Sequence, residues 1–353
     1  MKKRLFLQTE FDILTTQQAE YLLSKSRHGC YEHGEEIGRI LAHQLRQRTA
    51  NQTIPAINDE QGSKCTDSLK INSCFQNFYQ VLYTSECPTT PSVLENFLRS
   101  LHVPSVDPNI ADSLGKDFSA LEIISAIGSM QSGKSPGPDR YLTEFFKKFS
   151  DQLAPLLMSV FEESLSLKTL PLTMRQAVIS VILKKGKSPL ECNSFRPISL
   201  LNTDAKILAK VLARRLEGVL PSIISPDQTG FIKNRYSFFN VRRLCNILYS
   251  PSPPGVPEVV LSLDAEKAFD RVEWGYLFSM LERFGFGNKF ISWIRLLYTS
   301  PIAAVRTNNN LSPFFELKRN TRQGCPMSPL LFAVAMEPLA LALRQNNDIR
   351  GIH

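Results

Sequence analysis

What the 353 residues lack narrows the field first. No apolar run approaches the ~20 residues that a membrane-spanning helix needs. Leu330 to Met336 is one of the longer runs, and Glu337-Pro338 closes it. No membrane partner is expected. There is no Cys-x-x-Cys pair, and the seven cysteines (Cys30, Cys65, Cys74, Cys87, Cys192, Cys245, Cys325) are widely spaced and odd in number. They read as free thiols of an intracellular, reducing compartment, not as a disulfide frame or a zinc site. Histidine offers no metal site either, since His28, His33, His43 and His102 lie in the first third and His353 is terminal. Met1-Lys2-Lys3-Arg4-Leu5-Phe6-Leu7 starts like a secretory leader, but Gln8, Glu10 and Asp12 end its apolar segment too soon. Negative charge is the minority: 33 acids stand against 41 Lys and Arg, a net charge of +8. That balance favours an anionic partner, most simply nucleic acid.

What is present begins with length and core. The chain is long enough for about two domains, and 43% apolar residues suffice for real cores. Its organising stretch is Val259-Val260-Leu261-Ser262-Leu263-Asp264-Ala265-Glu266-Lys267-Ala268-Phe269-Asp270. A β-branched, apolar run ending on an acid predicts a buried strand that delivers Asp264 at its C-terminal end, where a carboxylate can hold a metal ion. Taken alone, the run favours a second reading: Asp264 as the cap of the next helix and Phe269 as a core aromatic.

Two further stretches stand in order with it: Phe195-Arg196-Pro197-Ile198-Ser199-Leu200-Leu201-Asn202 upstream and Arg322-Gln323-Gly324-Cys325-Pro326-Met327-Ser328-Pro329-Leu330-Leu331-Phe332 downstream. Together the three resemble motifs of reverse transcriptases from long interspersed, non-LTR retrotransposons. The resemblance runs from about Phe11-Asp12 to Arg350-Gly351-Ile352. It implies an α+β fold, the fingers and partial palm of a right-hand polymerase, with a mainly helical N-terminal extension. Residues 1–110 would be that extension and a linker, and 111–353 the fingers and palm.

Other segments fill in this outline. Ile37, Ile40, Leu41 and Leu45 predict a helix up to about Arg48, and Phe75, Phe78, Tyr79, Leu82 and Tyr83 an aromatic core stripe. Prolines between Cys87 and Pro108 mark the linker around a short helix, Val93 to Leu101. Gly128-Ser129-Met130-Gln131-Ser132-Gly133-Lys134-Ser135 spells a phosphate-binding loop. Such a loop needs a strand before it and a helix after it, and here a helix precedes while Pro136-Gly137-Pro138 follows. The resemblance instead makes Lys134 to Asp139 a motif preceding the fingers. Ala177 to Leu183 predicts a strand ending in Lys184-Lys185-Gly186-Lys187, a basic loop suited to phosphates or simply a solvated turn. Asp204 to Leu220 is the clearest helix, with Lys206, Lys210 and Arg214 stepping along one face. Val241 to Leu248 predicts another. Ala303 to Thr307 pairs with Phe314 to Lys318, and Ser328-Pro329 opens a helix into Met336.

Nucleotide addition by such enzymes uses two divalent ions held by carboxylates. The resemblance makes Asp264 the catalytic carboxylate and first Mg²⁺ ligand, with the Ala265 carbonyl another. It places Lys184, Lys185 and Arg196 on the incoming triphosphate, and a guanidinium can bind phosphate in a two-pronged fork. Phe269 would exclude a ribose 2′-hydroxyl, making dNTP the substrate, while Gln323 and Gly324 line the nucleotide pocket. Gly230 and Arg235 would contact the RNA template, which is copied from a DNA primer. Asn320 stands where the family usually has Gly. The aromatic-Ala-Asp-Asp hairpin with further metal ligands does not occur before His353. The expectation is therefore a truncated chain that holds Mg²⁺ weakly and polymerises poorly or not at all; the alternative is an RNA-binding remnant without catalysis. Asp264 pointing into solvent, remote from both the Gln323-Gly324 turn and the basic fingers loop, would require the polymerase lineage to be abandoned.

Overall fold

The computed structural model describes residues 53–87, 91–250 and 259–349. The helix expected before Arg48 lies outside the described residues. From Ala56 onward the described residues form one compact unit.

A small antiparallel hairpin, β1 (Ile57–Asn58) and β2 (Lys64–Cys65), comes first, and α1 (Ser68–Leu82) follows it. The Asp67 carboxylate accepts the Leu69 and Lys70 amides at 3.1 and 2.9 Å, which fixes where α1 starts. Ile71, Phe75, Tyr79 and Leu82 recur at helical spacing and are all buried. Phe75 meets Phe195 edge-on, with ring centroids 5.0 Å apart, so the aromatic stripe is core as expected. Asn72 donates to the Val305 carbonyl (3.1 Å) and to Thr307 Oγ1 (2.9 Å), pinning α1 to the sheet.

That sheet is built on β3 (Gln176–Leu183) and β4 (Phe195–Leu201), antiparallel, with Leu183 opposite Phe195. β5 (Ile302–Thr307) runs parallel to β3 on its other side. Its far edge pairs with β6 (Asn310–Leu311) and β7 (Phe315–Glu316); the sequence predicts the β7 pairing but not β6. Ala177, Val178 and Ile179 are buried, whereas Ile182 and Leu183 are exposed. β3 thus leaves the core at its end and carries Lys184 and Lys185 outward.

The helical layer comprises α2 (Ala120–Ser129), α3 (Ser150–Leu167), α4 (Thr203–Glu217), α5 (Ser237–Tyr249), α6 (Trp274–Arg283), α7 (Asn288–Leu297) and α8 (Ser328–Gln345). At its centre α4 buries Ile207, Leu208, Val211, Leu212 and Leu216, sharing a core with Phe161, Trp293 and Leu331. Its N-terminus admits the Pro136-Gly137-Pro138 loop only because residue 137 has no side chain: a Cβ there would lie 2.1 Å from Asn202 Oδ1.

Three expectations need correction. Val259 to Asp264 forms no strand; the segment is extended coil, and Val259, Leu261 and Leu263 are about four-fifths exposed. A strand exists only where neighbours take its amides and carbonyls, and among the described residues none runs beside this one. The boundary near residue 110 does not separate compact units, because α1 packs into the sheet. The proline-rich stretch does hold a short helix, Pro91–Arg99. α8 passes through Pro338 to Gln345 instead of ending near Met336. The phosphate-loop spelling behaves as the sequence reading expects. α2 leads into it and no helix follows before Thr143, while Glu144, in the helix Thr143–Lys148, accepts the Gly133 amide at 2.6 Å where an anion would sit.

Candidate active site

Three motifs far apart in sequence meet beside β4. The Ser199 amide donates to the Gln323 carbonyl at 2.8 Å, tying the Gln323-Gly324 turn to the strand. Gly324 has φ +110°, and a Cβ on it would lie 2.6 Å from the Ser199 carbonyl oxygen, so only glycine fits. One residue upstream of Arg322, Thr321 donates through its amide (2.6 Å) and its hydroxyl (3.1 Å) to the Phe269 carbonyl. The Asn320 amide reaches the Val272 carbonyl at 3.0 Å. Asn320 itself has φ +133°, which explains why a glycine would suit this position.

Phe269 lies half-buried on a single-turn helix, Ala268–Arg271. Its ring stacks on Phe332 of α8, with centroids 4.6 Å apart, and meets Phe231 edge-on at 5.9 Å. Phe231 belongs to the segment expected at the template, so that segment, Phe269 and α8 share one aromatic cluster. Next to Phe269, Asp270 is buried and accepts the Tyr83 hydroxyl at 3.0 Å. Burial pushes its carboxyl up to about 6, against the pull of Tyr83, Lys267 and Lys184. Lys267 has φ +52°, and its ammonium sits 4.0 Å over the Phe78 ring. Burial, together with Lys184 and Arg271, pulls that amine down to about 8, Asp270 and Glu266 opposing. A cavity of about 760 Å³ opens here, lined by Phe78, Cys192, Asn193, Glu266, Lys267 and Arg271 among others.

The basic groups divide into free and engaged. Arg196 and Lys185 are exposed; Lys184 is half-buried and donates to the Asn193 carbonyl at 3.3 Å. Arg235 is engaged: its guanidinium donates to the carbonyls of Ser225, Gln228, Pro221 and Ile224 at 2.6 to 3.1 Å. That corrects the template-phosphate role for Arg235, because its fork already closes the turn before α5. Gly230 is exposed, and a Cβ on it would meet only Gln228 Oε1, at an ordinary 3.8 Å. Of the stripe on α4, Lys206 donates to the Ser135 carbonyl and Arg214 to Ser125.

Asp264 and Ala265 are exposed in the unpaired stretch. Reverse transcriptases use divalent metal ions, so the fit can be tested on these residues. Among the described residues, no group of three or more His, Cys, Asp or Glu could hold a metal. Asp270, the nearest acid in sequence on the far side of Phe269, is turned inward to Tyr83. The described residues do not make a two-ion site.

A family profile described as reverse transcriptase (RNA-dependent DNA polymerase) matches residues 182–352. Over those residues the chain belongs to the reverse transcriptase family. Its relatives come from non-LTR retrotransposons. The chain is 36% identical over 292 residues to the transposon TX1 uncharacterized 149 kDa protein of Xenopus laevis, covering 83% of this chain and 22% of that one. It is 26% identical over 265 residues to a probable RNA-directed DNA polymerase from transposon BS of Drosophila melanogaster (74% and 29%). To the RNA-directed DNA polymerase from mobile element jockey of the same fly it is 26% identical over 227 residues (62% and 24%). The chain thus spans less than a third of the length of these relatives. The lineage stands although Asp264 faces solvent, one part of the arrangement on which it would have been abandoned. Exposure follows from the missing strand partner, while the match rests on sequence over residues 182–352.

Sequence reasoning missed Tyr83, Thr321 and Lys267 at this site. Tyr83 was visible only as the last member of an aromatic stripe, Lys267 only as one charge in a motif. Nothing in the sequence marks Thr321.

Proposed function

We propose that this chain supplies the fingers and palm of an RNA-directed DNA polymerase that extends a DNA primer on an RNA template with dNTPs. The observation that carries this reading is the convergence of β4, Phe269 and the Gln323-Gly324 turn, joined by the Ser199–Gln323 and Thr321–Phe269 hydrogen bonds. A turn held that close to a strand by a side-chain-free residue offers backbone, not side chain, to a base pair, and an aromatic ring beside it can reject a 2′-hydroxyl by contact. Lys184, Lys185 and Arg196, at the open end of β3 and β4, suit the triphosphate; two of the three stand exposed. Mg²⁺ is the ion we assign, with the Asp264 carboxylate and the Ala265 carbonyl as its ligands from this stretch. An intracellular, reducing location agrees with the described cysteines, all of which are free.

One observation favours a second reading, template binding without catalysis: Asp264 is exposed, and among the described residues no group of three or more His, Cys, Asp or Glu gathers to hold a metal. Primer extension on an RNA template with Mg²⁺ separates the two. Incorporation of dNTPs that is lost in Asp264→Asn supports the polymerase; retention of template with no extension supports the second reading.

A further inference from the structure

We propose that Tyr83, at the end of α1, is a positioning residue for the nucleotide pocket, holding Phe269 and the loop into Gln323-Gly324 in register with each other. The inference rests on the polymerase reading above and names a determinant of sugar discrimination within it.

Tyr83 touches both halves of the pocket's frame. Its hydroxyl donates to Asp270 at 3.0 Å, one residue beyond Phe269 on the same single-turn helix. Its carbonyl accepts the Lys318 amide at 3.0 Å, at the start of the loop that reaches Gln323 five residues later. The same loop returns to Phe269 through Thr321, so Tyr83, Asp270, Phe269, Thr321 and Lys318 close a ring of contacts. The tyrosine is itself immobile. It is 1% exposed, stacks on Tyr79 with centroids 5.9 Å apart, and sits beside Leu82, whose carbonyl accepts Arg319 Nε at 2.8 Å. Arg319 is further tied to Glu86 at 2.8 Å and Glu273 at 3.4 Å.

The hydroxyl matters beyond the ring. Among the described residues it is the hydrogen-bond donor to the buried Asp270 carboxylate; Lys267 and Lys184 act on that group through charge alone. A buried carboxylate deprived of its donor moves toward another donor or toward water, and Phe269 is bonded to it in the next residue. A contact that rejects a 2′-hydroxyl depends on ring position at the ångström scale, so displacement of Phe269 reads out as altered sugar preference before it reads out as unfolding.

The test uses the full chain on an RNA template annealed to a DNA primer with a dideoxy 3′ end, so that no chemistry is required. The concentrations of complementary dCTP and of CTP that stabilise the Mg²⁺-containing complex against a competitor trap are compared. The unmodified chain should favour dCTP. Loss of one buried hydrogen bond predicts that Tyr83→Phe lowers the dCTP:CTP preference roughly five- to tenfold while dCTP affinity falls no more than about threefold. Asp270→Asn keeps an acceptor for Tyr83 and should retain the preference, whereas Asp270→Val removes the acceptor and should lose it. Retention of full preference by Tyr83→Phe or by Asp270→Val, in whichever variant is folded by circular dichroism, overturns the proposal. If Phe269→Ala also leaves the preference untouched, or the unmodified chain holds neither nucleotide, the polymerase reading falls and takes the proposal with it.

Discussion

At Gly324 the backbone stands where a methyl group cannot go. The Ser199 carbonyl oxygen occupies the position a side chain would need, and φ +110° is costly for any L-residue. Gly324→Ala should lower unfolding free energy by about 2 kcal/mol or more in a urea titration, since strain of this kind costs roughly 1–3 kcal/mol before any clash. Four residues away the same conformation is borne by Asn320, whose buried side-chain oxygen finds no partner among the described residues. Asn320→Gly relieves both and should raise stability by about 1 kcal/mol in the same titration, a gain reduced by the small void left behind. The resemblance marked this position as one where Gly is usual; the backbone angle supplies the reason. Asp270 gives a pH test. Its folded value of about 6 lies above the ordinary 3.8, so the native state holds the proton more tightly. Its contribution is complete below the ordinary value, is lost as pH rises to about 6, and is constant above. In Asp270→Asn that loss should vanish, leaving the variant more stable than the parent at pH 7 relative to pH 4 by at most about 3 kcal/mol. Denaturant midpoints across that range check it; Asp204, also raised to about 6, keeps its own contribution in both proteins. The shift at Asp270 was not legible in the sequence, because burial of a single acid is decided by packing partners such as Tyr83, 187 positions away.

Among elements, apolar pattern located secondary structure better than it located burial. The run that forms β3 and the stretch Val259 to Leu263 read alike, both β-branched and apolar, yet the first is a central strand and the second exposed coil. The difference lies outside both runs: β3 finds β4 and β5 as neighbours, while the second finds none among the described residues. α5 shows the same effect. It forms over the expected residues but buries none of them, and Phe238, Phe239, Val241, Leu244 and Leu248 face outward. α4, by contrast, was legible in full, since periodicity over fifteen residues and actual burial agree. Replacing an apolar side chain should therefore have opposite consequences in the two settings. Leu261→Ser should change unfolding free energy by less than about 0.5 kcal/mol, as for other exposed sites. Leu212→Ala, in the middle of α4, should cost about 2–5 kcal/mol. Equal losses in a urea titration would mean that Val259 to Leu263 is packed after all.

For the whole molecule, the sharpest disagreement with the sequence concerns where the polymerase unit begins. Dense prolines between Cys87 and Pro108 signal a break in regular structure, and that signal was right about local conformation. It carried no information on whether the pieces on either side pack together, which depends on complementary faces that meet only in the fold. They do meet: Phe75 lies on Phe195, Asn72 on Val305 and Thr307, Tyr83 on Asp270 and Lys318, and Arg319 bridges Leu82, Glu86 and Glu273. A protein cut at the proline-rich stretch would expose one side of β5 and strip Arg319 of Glu86 and the Leu82 carbonyl, leaving it only the longer contact to Glu273, and removing a partner from a buried charge costs several kcal/mol. A fragment of residues 111–353 should consequently lack a cooperative thermal transition and bind a dye for exposed apolar surface, whereas residues 56–353 should melt as one unit. Adding residues 56–87 in trans should restore the transition at a concentration-dependent midpoint, since the segment then acts as a ligand of the native state. A sharp, independent transition in the shorter fragment would return the boundary to the prolines and reduce α1 to an appendage.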